Sequence, residues 1–303
     1  MAFDRILGQE QPKKILKNAL QSRNVAHAYL FHGQESIGKK EIAIELAKSL
    51  NCASPIKGDA CDECTSCRKI ENRTHPDFFF VEPIKNTPTA REAVIKIEAI
   101  RELQRKLAFH PYEGKVKVAI IDTADLMNLQ AANSFLKTLE EPPSATILIL
   151  ISSNPFKLLP TLISRCQTIQ FQPLTQENIK KILKEIMTEE KIENDTLAFR
   201  TLRSRGSVKK ALAEDIENIV NIRKEIVSLL ETISFDRMDV VFSHAKSWAS
   251  QSDQWELILN ELMELVRDLA FFQSGCSESE VYNRDIAKRL KLLATRRTVN
   301  SWL

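Results

Sequence analysis

The sequence has little glycine, little net charge and no long apolar run. Seven glycines in 303 residues exclude long Gly-rich linkers and favour a chain that is mostly helical. No stretch of about 18 apolar residues occurs, so no membrane-spanning helix is predicted. The formal charge of +3 is too small to indicate nucleic-acid binding by bulk charge, although a local basic surface remains compatible with it. The first residues lack the charged-then-apolar pattern of a signal peptide, and we therefore predict a cytoplasmic protein without a membrane partner.

Cysteine is the residue type whose distribution is most informative. A hydrophobic content of 43% and a charged content of 27% are typical of a globular protein, and the length suggests two or three domains. Disulfides would be unstable in the cytoplasm, so a cysteine cluster needs another explanation. Four cysteines follow the spacing C-x8-C-x2-C-x2-C: Cys52, Cys61, Cys64 and Cys67.

This spacing predicts a structural zinc site. Zn²⁺ prefers four soft ligands in a tetrahedron, and two-residue spacers let a tight turn direct two thiolates to one point. The alternatives are unrelated free thiols or a redox pair. Four cysteines leave no coordination position for water, which argues against a catalytic metal. Cys166 and Cys276 are isolated and are interpreted as packing residues.

A phosphate-loop pattern follows a short apolar segment at 28–31. The segment Gly33-Gln34-Glu35-Ser36-Ile37-Gly38-Lys39-Lys40 leads into a run with helical periodicity, as in strand, Gly-x4-Gly-Lys loop and helix. Loop amides and Lys39 would face an anion. The motif normally ends in Ser or Thr, whose hydroxyl binds magnesium, whereas an ammonium at Lys40 would repel it. The sequence predicts a degenerate nucleotide site, with an ordinary strand-turn-helix as the alternative.

A second apolar strand, predicted at 116–121, runs into Asp122. A carboxylate at a strand end beside a phosphate loop usually supports magnesium. The next residue is Thr123, where an active ATPase of this type would carry a glutamate that orients water. Helix capping is the alternative for Asp122 and Asp125.

The remaining pattern predicts an α/β domain. A helix is expected at 126–141, ended by Pro142 and Pro143, and a fully apolar strand at 146–151. Strands that alternate with helices and read as continuous apolar runs are typical of a parallel sheet.

The motifs together resemble the clamp-loader family of the AAA+ superfamily. The resemblance rests on His27-Ala28-Tyr29-Leu30-Phe31, on the four-cysteine insert, on the segment Asn-Ser-Phe-Leu-Lys-Thr-Leu-Glu-Glu-Pro-Pro at 133–143, and on Ser164-Arg165-Cys166. It implies an AAA+ nucleotide-binding-like domain at 1–172 with a zinc module at about 52–67, a helical lid at 173–213 and a helical collar domain at 214–303.

The resemblance also implies roles for individual residues. Arg165 would project to the γ-phosphate held by a neighbouring subunit, where a planar, permanently charged fork stabilises phosphoryl charge; a surface salt bridge is the alternative. Asn154 stands where the family places a polar nucleotide sensor, with a turn residue as the alternative. Lys209 or Lys210 lies near a basic lid position, and a solvated basic helix face explains them equally well.

The function that the resemblance implies is that of a non-hydrolysing subunit of the bacterial DNA polymerase III clamp loader. Its partners would be a gamma/tau-type ATPase and the delta subunit in a hetero-pentamer, which together load the sliding clamp onto primed DNA. The chain would have no ATPase activity alone, and ATP or ADP binding is left open. Two alternatives remain: an active gamma/tau-type ATPase, and a zinc-containing AAA+ interaction module of another pathway.

Overall fold

The computed structural model describes residues 2–85, 93–187, 194–212, 216–232, 238–249, 254–278 and 280–296. The chain divides into two compact units. The first comprises Met1–Glu190 with Arg205–Lys209, and the second comprises Lys191–Ser204 with Lys210–Leu303. The predicted division into domains at 172/173 and 213/214 stays a prediction.

The first unit is built on a parallel sheet. Its described strands are β1 (Ala28–His32), β2 (Phe78–Val81), β5 (Lys117–Ile121), β6 (Thr146–Ser152) and β7 (Gln167–Gln170), while β3 (Ile84–Lys85) and β4 (Ala93–Val94) form a separate antiparallel pair. The sheet order is β2-β5-β6-β1-β7, with parallel pairing throughout. The inner strands are buried, which explains their continuous apolar sequences.

Helices cover this sheet. Those of the first unit are α1 (Ala2–Arg5), α2 (Glu10–Gln21), α3 (Lys39–Asn51), α4 (Thr65–Glu71), α5 (Ile97–Leu107), α6 (Leu129–Glu140), α7 (Pro160–Ile163) and α8 (Gln176–Ile186). In α5 the apolar spacing puts Ile100, Leu103 and Leu107 on one buried face, where they join Phe135 of α6 in a core with the sheet. The predicted α/β fold class, with a parallel sheet and a cysteine cluster, is confirmed.

One predicted helix begins later than expected. The pattern indicated a helix from 126, but a short 3₁₀ turn occupies Ala124–Leu126 and α6 starts at Leu129. The reason is a cap: the side-chain oxygen of Asn128 accepts a hydrogen bond from the Ala131 N–H at 2.8 Å. This bond satisfies a donor that the first turn of a helix leaves open, so the helix begins after Asn128.

The rest of the described chain is helical, as predicted. It contains α9 (Asn194–Arg203), α10 (Val208–Ala211), α11 (Ile216–Thr232), α12 (Met238–Ala249), α13 (Trp255–Gln273) and α14 (Ala287–Arg296). The second unit has its own core, in which Ile226, Leu265 and Leu290 are fully buried. None of the described helices combines the length and the apolar character needed to cross a bilayer.

Asp77, which precedes β2, connects the edge of the sheet to the loop after α5. Its carboxylate accepts hydrogen bonds from the backbone N–H groups of Tyr112, Glu113 and Gly114 at 2.7, 2.8 and 2.7 Å. Burial alone would raise the pKa of Asp77, but the three backbone donors outweigh it and hold the pKa below its ordinary value. The folded state therefore favours the ionised carboxylate.

We expect Asp77→Asn to lower the free energy of unfolding by about 2–4 kcal/mol at pH 7, because an amide NH₂ would face backbone donors. A depressed carboxyl pKa contributes stability above the unfolded pKa, and that contribution is lost as pH falls through the folded pKa. The difference in unfolding free energy between the variant and the parent should therefore become smaller below about pH 4. Urea unfolding at several pH values measures this, with Glu141→Gln, at an exposed carboxylate that forms no ion pair among the described residues, as the control. A gap of equal size across the whole pH range would contradict the prediction.

Candidate nucleotide and metal sites

The phosphate-loop segment connects β1 to α3 in the predicted way. Gly33 has φ 144° and Gly38 has φ 100°, conformations that side chains disfavour. A Cβ atom at Gly33 would lie 2.5 Å from the Phe171 carbonyl oxygen, so the loop also needs glycine there for space. The helix begins at Lys39, which places its first N–H groups at the loop.

Lys39 is turned into its own loop. Its Nζ donates hydrogen bonds to the carbonyl oxygens of Gly33 at 2.6 Å and Gln34 at 2.5 Å. The residue is buried, and this burial lowers the pKa of its ammonium although Asp122 and Asp125 act in the opposite direction. In this conformation Lys39 closes the loop upon itself.

Lys40 places its ammonium group where the motif normally has a hydroxyl that binds magnesium. Its Nζ lies 2.7 Å from Glu82 Oε1 and 3.2 Å from Asp122 Oδ2. The same ammonium lies 4.7 Å from the centre of the Phe80 ring. The hydrogen bond from Lys40 holds the pKa of Glu82 below its ordinary value. The carboxylate of Asp122 is thus already paired with a cation of the chain, and it is not a helix cap.

Glu82 is a member of this cluster that the sequence analysis missed. It directly follows β2, whose last residue Val81 pairs with Ile121 of β5, and Asp122 directly follows β5. The two carboxylates therefore meet at the carboxyl edge of the sheet. The signal that would have found Glu82 is a polar residue immediately after an apolar strand.

A cavity of about 260 Å³ lies at the loop. Of the predicted residues, Gly38, Lys39, Lys40 and Asp122 line it, together with Thr123 and Ser153. Gly33 shapes the loop from outside the cavity lining. Asn154 also lies outside it, two residues beyond the end of β6, and its N–H donates to Ser152 Oγ at 3.1 Å.

Two further polar residues lie near the cavity. Asp125 accepts a hydrogen bond from the Ser153 N–H at 3.2 Å, instead of capping a helix. Lys209, at the start of α10, approaches the loop, where its Nζ lies 2.8 Å from Glu35 Oε1. Both side chains of this pair are exposed, so the pair adds little stability.

Arg165 lies in the turn between α7 and β7. Its Nη2 is 2.6 Å from Glu140 Oε1, and its Nη1 donates to the Thr161 carbonyl oxygen at 3.0 Å. The neighbouring Cys166 packs against the core, and burial raises the pKa of its thiol to about 12. Cys166 therefore anchors the turn while Arg165 remains partly exposed. Glu140 lies in the 133–143 motif, and the sequence alone assigned it no role.

The four predicted cysteines come together. Their Sγ atoms all lie within 4.8 Å of one another, and Cys52 Sγ is 4.0 Å from Cys64 Sγ. Cys52 follows the end of α3, and Cys64 precedes α4. Tetrahedral coordination at about 2.3 Å requires sulfur atoms about 3.8 Å apart, so the cluster can hold a metal ion with a small contraction.

The backbone around the sulfur atoms supports this reading. Backbone N–H groups donate to three of the sulfurs: Cys61 to Cys52 at 3.4 Å, Cys64 to Cys61 at 3.4 Å and Cys67 to Cys64 at 3.5 Å. Burial acts against ionisation of Cys64, but backbone donors from Cys67 and Ala53 lower the pKa of its thiol to about 6, whereas burial raises the pKa of the Cys52 and Cys67 thiols. Such donors stabilise thiolates, the form that binds a metal.

A buried lysine fastens the cysteine module to α3. The Nζ of Lys48 lies 2.6 Å from Glu45, 2.7 Å from Asp62 and 2.8 Å from Glu71. Asp62 belongs to the cysteine insert and Glu71 to α4. The phosphate-loop helix and the cysteine module are therefore joined by charge as well as by Cys52.

Comparison with known proteins places these features in one family. The family model described as DNA polymerase III, delta subunit, matches residues 8–175. The delta' subunit of Bacillus subtilis is 32% identical over 97% of this chain and 87% of its own length. The tau subunit of Salmonella typhimurium is 30% identical over 89% of this chain. The match covers 44% of the length of that relative. A gamma subunit-related protein from Thermotoga maritima matches with a TM-score of 0.46 and 18% identity, over 96% of this chain and 92% of its own.

Proposed function

The chain belongs to the DNA polymerase III delta-subunit family and is a clamp-loader subunit; on that premise we propose that it serves the loader without hydrolysing ATP itself. The observation that carries the proposal is the ammonium of Lys40 between Glu82 and Asp122. Magnesium needs oxygen ligands and neutralises phosphoryl charge during transfer. The ammonium of Lys40 already pairs with Asp122, and its positive charge would repel a magnesium ion at the same position.

The residue after Asp122 adds a second argument. An active site of this type needs a carboxylate that orients the attacking water, and Thr123 has none. Thr123 also has φ 52°, a left-handed backbone conformation at the cavity wall. Both the metal position and the water-orienting position thus differ from what hydrolysis requires.

Arg165 is the residue through which this subunit would act on a neighbour. Its guanidinium is partly exposed and bound to Glu140 by an ion pair that solvent screens. Releasing an exposed pair of this kind costs only about 0–1 kcal/mol. We propose that Arg165 leaves Glu140 and binds the γ-phosphate held by an adjacent gamma/tau-type ATPase, within a hetero-pentamer that also contains delta.

Under this proposal the chain takes part in replication as one subunit of the clamp loader. The loader would open the sliding clamp and place it on primed DNA, with this subunit as scaffold and donor of Arg165. The relatives are named as DNA polymerase III subunits, which supports this pathway over an AAA+ interaction module of another one.

The metal of the cysteine cluster is proposed to be zinc with a structural role. Four sulfur donors suit a soft, tetrahedral ion, and a complete sulfur set leaves no position for a reacting water. Cys52, Cys61, Cys64 and Cys67 would be its ligands. The ion would tie the end of α3 to α4.

We expect the purified chain to show no magnesium-dependent ATP turnover above background, and Lys39→Ala to leave that background unchanged. Steady-state phosphate release by the isolated protein measures this. A gamma/tau-type subunit assayed beside it serves as the positive control. Robust turnover that Lys39→Ala abolishes would instead establish the active gamma/tau-type alternative.

A further inference from the structure

A wide groove lies at the sheet edge formed by β2, away from the phosphate loop in sequence and in lining residues. Its volume is about 950 Å³, and it runs between the start of β2 and the last turn of α5 with the loop that follows. Two aromatic side chains on this loop are strongly exposed: Phe109 at 73% and Tyr112 at 85%. Large rings left in water at the mouth of a groove mark a binding surface.

The lining of the groove carries three formal positive charges, on Arg105, Lys106 and Lys117, and two negative charges, on Asp77 and Glu102. Two carboxylates line it, and both are already paired: Asp77 accepts three backbone N–H bonds, and Glu102 lies 2.7 Å from Lys106 Nζ. Arg105 also lines the groove; it forms no ion pair within 4 Å and no hydrogen bond among the described residues, although its charge lies close enough to Glu102 to help lower the pKa of that carboxyl. Arg101 lies one turn earlier on α5, is exposed, and is likewise unpaired within the described chain.

We propose that this groove binds single-stranded nucleic acid, with Phe109 and Tyr112 stacking on bases while Arg101 and Arg105 contact phosphates. Aromatic rings interleaved with basic side chains are the arrangement that single strands bind, because every base offers a flat face and every nucleotide a negative charge. In the sequence, the two cationic residues Arg105 and Lys106 at the end of α5 are followed closely by the two aromatic residues Phe109 and Tyr112. An apolar peptide would fill the aromatic part but would leave the two arginines without a counter-charge.

The groove is built to hold these rings in place. Asp77 fixes the backbone of Tyr112 at 2.7 Å, and the buried ammonium of Lys117 donates to the carbonyl oxygens of Leu107 and Phe109. The loop is thereby bound at both ends of the aromatic pair. A loop held in this way loses little conformational entropy when a ligand binds.

The test is fluorescence anisotropy of a labelled oligo(dT) of about 20 nucleotides titrated with the full chain at low salt. Phe109→Ala and Tyr112→Ala should each weaken binding at least about fivefold, the smallest effect expected for one stacked base. Phe156→Ala is the matched control, because Phe156 is 96% exposed and lies outside the groove. Arg105→Ala should weaken binding and reduce the salt slope by about 0.7.

Three results would overturn the proposal: no saturable binding by the unaltered chain, equal binding by the Phe109→Ala/Tyr112→Ala double variant, or equal losses from Phe156→Ala. Because the altered side chains are exposed, thermal unfolding of each variant should match the parent, and Arg105→Lys should keep the salt slope. The inference does not rest on the proposed function. The binding test and the ATPase assay measure different properties. A failure of the nucleic-acid proposal can therefore be distinguished from a failure of the proposed function.

Discussion

If Arg165 acts on a neighbouring subunit as proposed, replacing it with alanine is expected to slow ATP hydrolysis about 10³-fold at that neighbour's ATPase site in the reconstituted loader. The guanidinium would stabilise charge on the transferred phosphoryl group, and alanine leaves that charge without a partner. Single-turnover phosphate release measures the effect. The amplitude of the fast phase should fall by the fraction that this one site contributes. Assembly, followed by size-exclusion chromatography, should be unchanged because Arg165 is partly exposed.

Two variants separate this role from a structural one. Arg165→Lys keeps the charge but lacks the planar fork, and its fast phase should stay at least about tenfold slower than the parent at that site. Arg68→Ala removes an exposed arginine of α4 and should leave turnover unchanged. Full turnover with Arg165→Ala would show that the arginine only forms the surface pair with Glu140.

Removing a cysteine ligand is expected to cost the most stability. With the proposed zinc ion bound, Cys67→Ser should reduce the metal content from about one ion per chain to near zero and lower the free energy of unfolding by roughly 5 kcal/mol or more, because metal binding contributes directly to folding. Cys67 is buried in the cluster, so its loss also opens a packed site. Elemental analysis of protein purified under reducing conditions and thermal unfolding together measure the two effects.

The control for this experiment is Cys276→Ser, which alters an isolated, half-buried cysteine. We expect it to retain the metal and to change stability by less than about 1 kcal/mol. A chelator should reproduce the Cys67→Ser destabilisation in the parent and have no effect on Cys67→Ser itself. A metal content near zero in the unoxidised parent would contradict the zinc proposal.

Much of the candidate site could be predicted because short-range spacing determines it. Two glycines at the required interval and a following helix predict the loop, and the two-residue spacers between cysteines predict a cluster that the structure brings within 4.8 Å. Continuous apolar segments predicted the buried strands of a parallel sheet. These features depend on a few neighbouring residues, so local sequence carries them.

Other features depended on partners far apart in the chain. The sequence showed that Lys40 replaces a hydroxyl, but not that its ammonium would reach Glu82, 42 residues away, and Asp122. The start of α6 was misplaced because the Asn128 cap competed with the helical pattern. Likewise, Glu140 became a partner of Arg165 only through the packing of α6 beside α7.

The sequence by itself determined the fold class, the loop, the cysteine cluster and the family, because periodicity and motif spacing are local properties. The tertiary structure alone decided what each charged side chain meets. It placed the carboxyl ends of β2 and β5 together, so that Lys40 is held between two carboxylates. It also left Phe109 and Tyr112 exposed beside Arg105, which forms no ion pair within 4 Å among the described residues, since burial and charge pairing are settled only when distant segments pack.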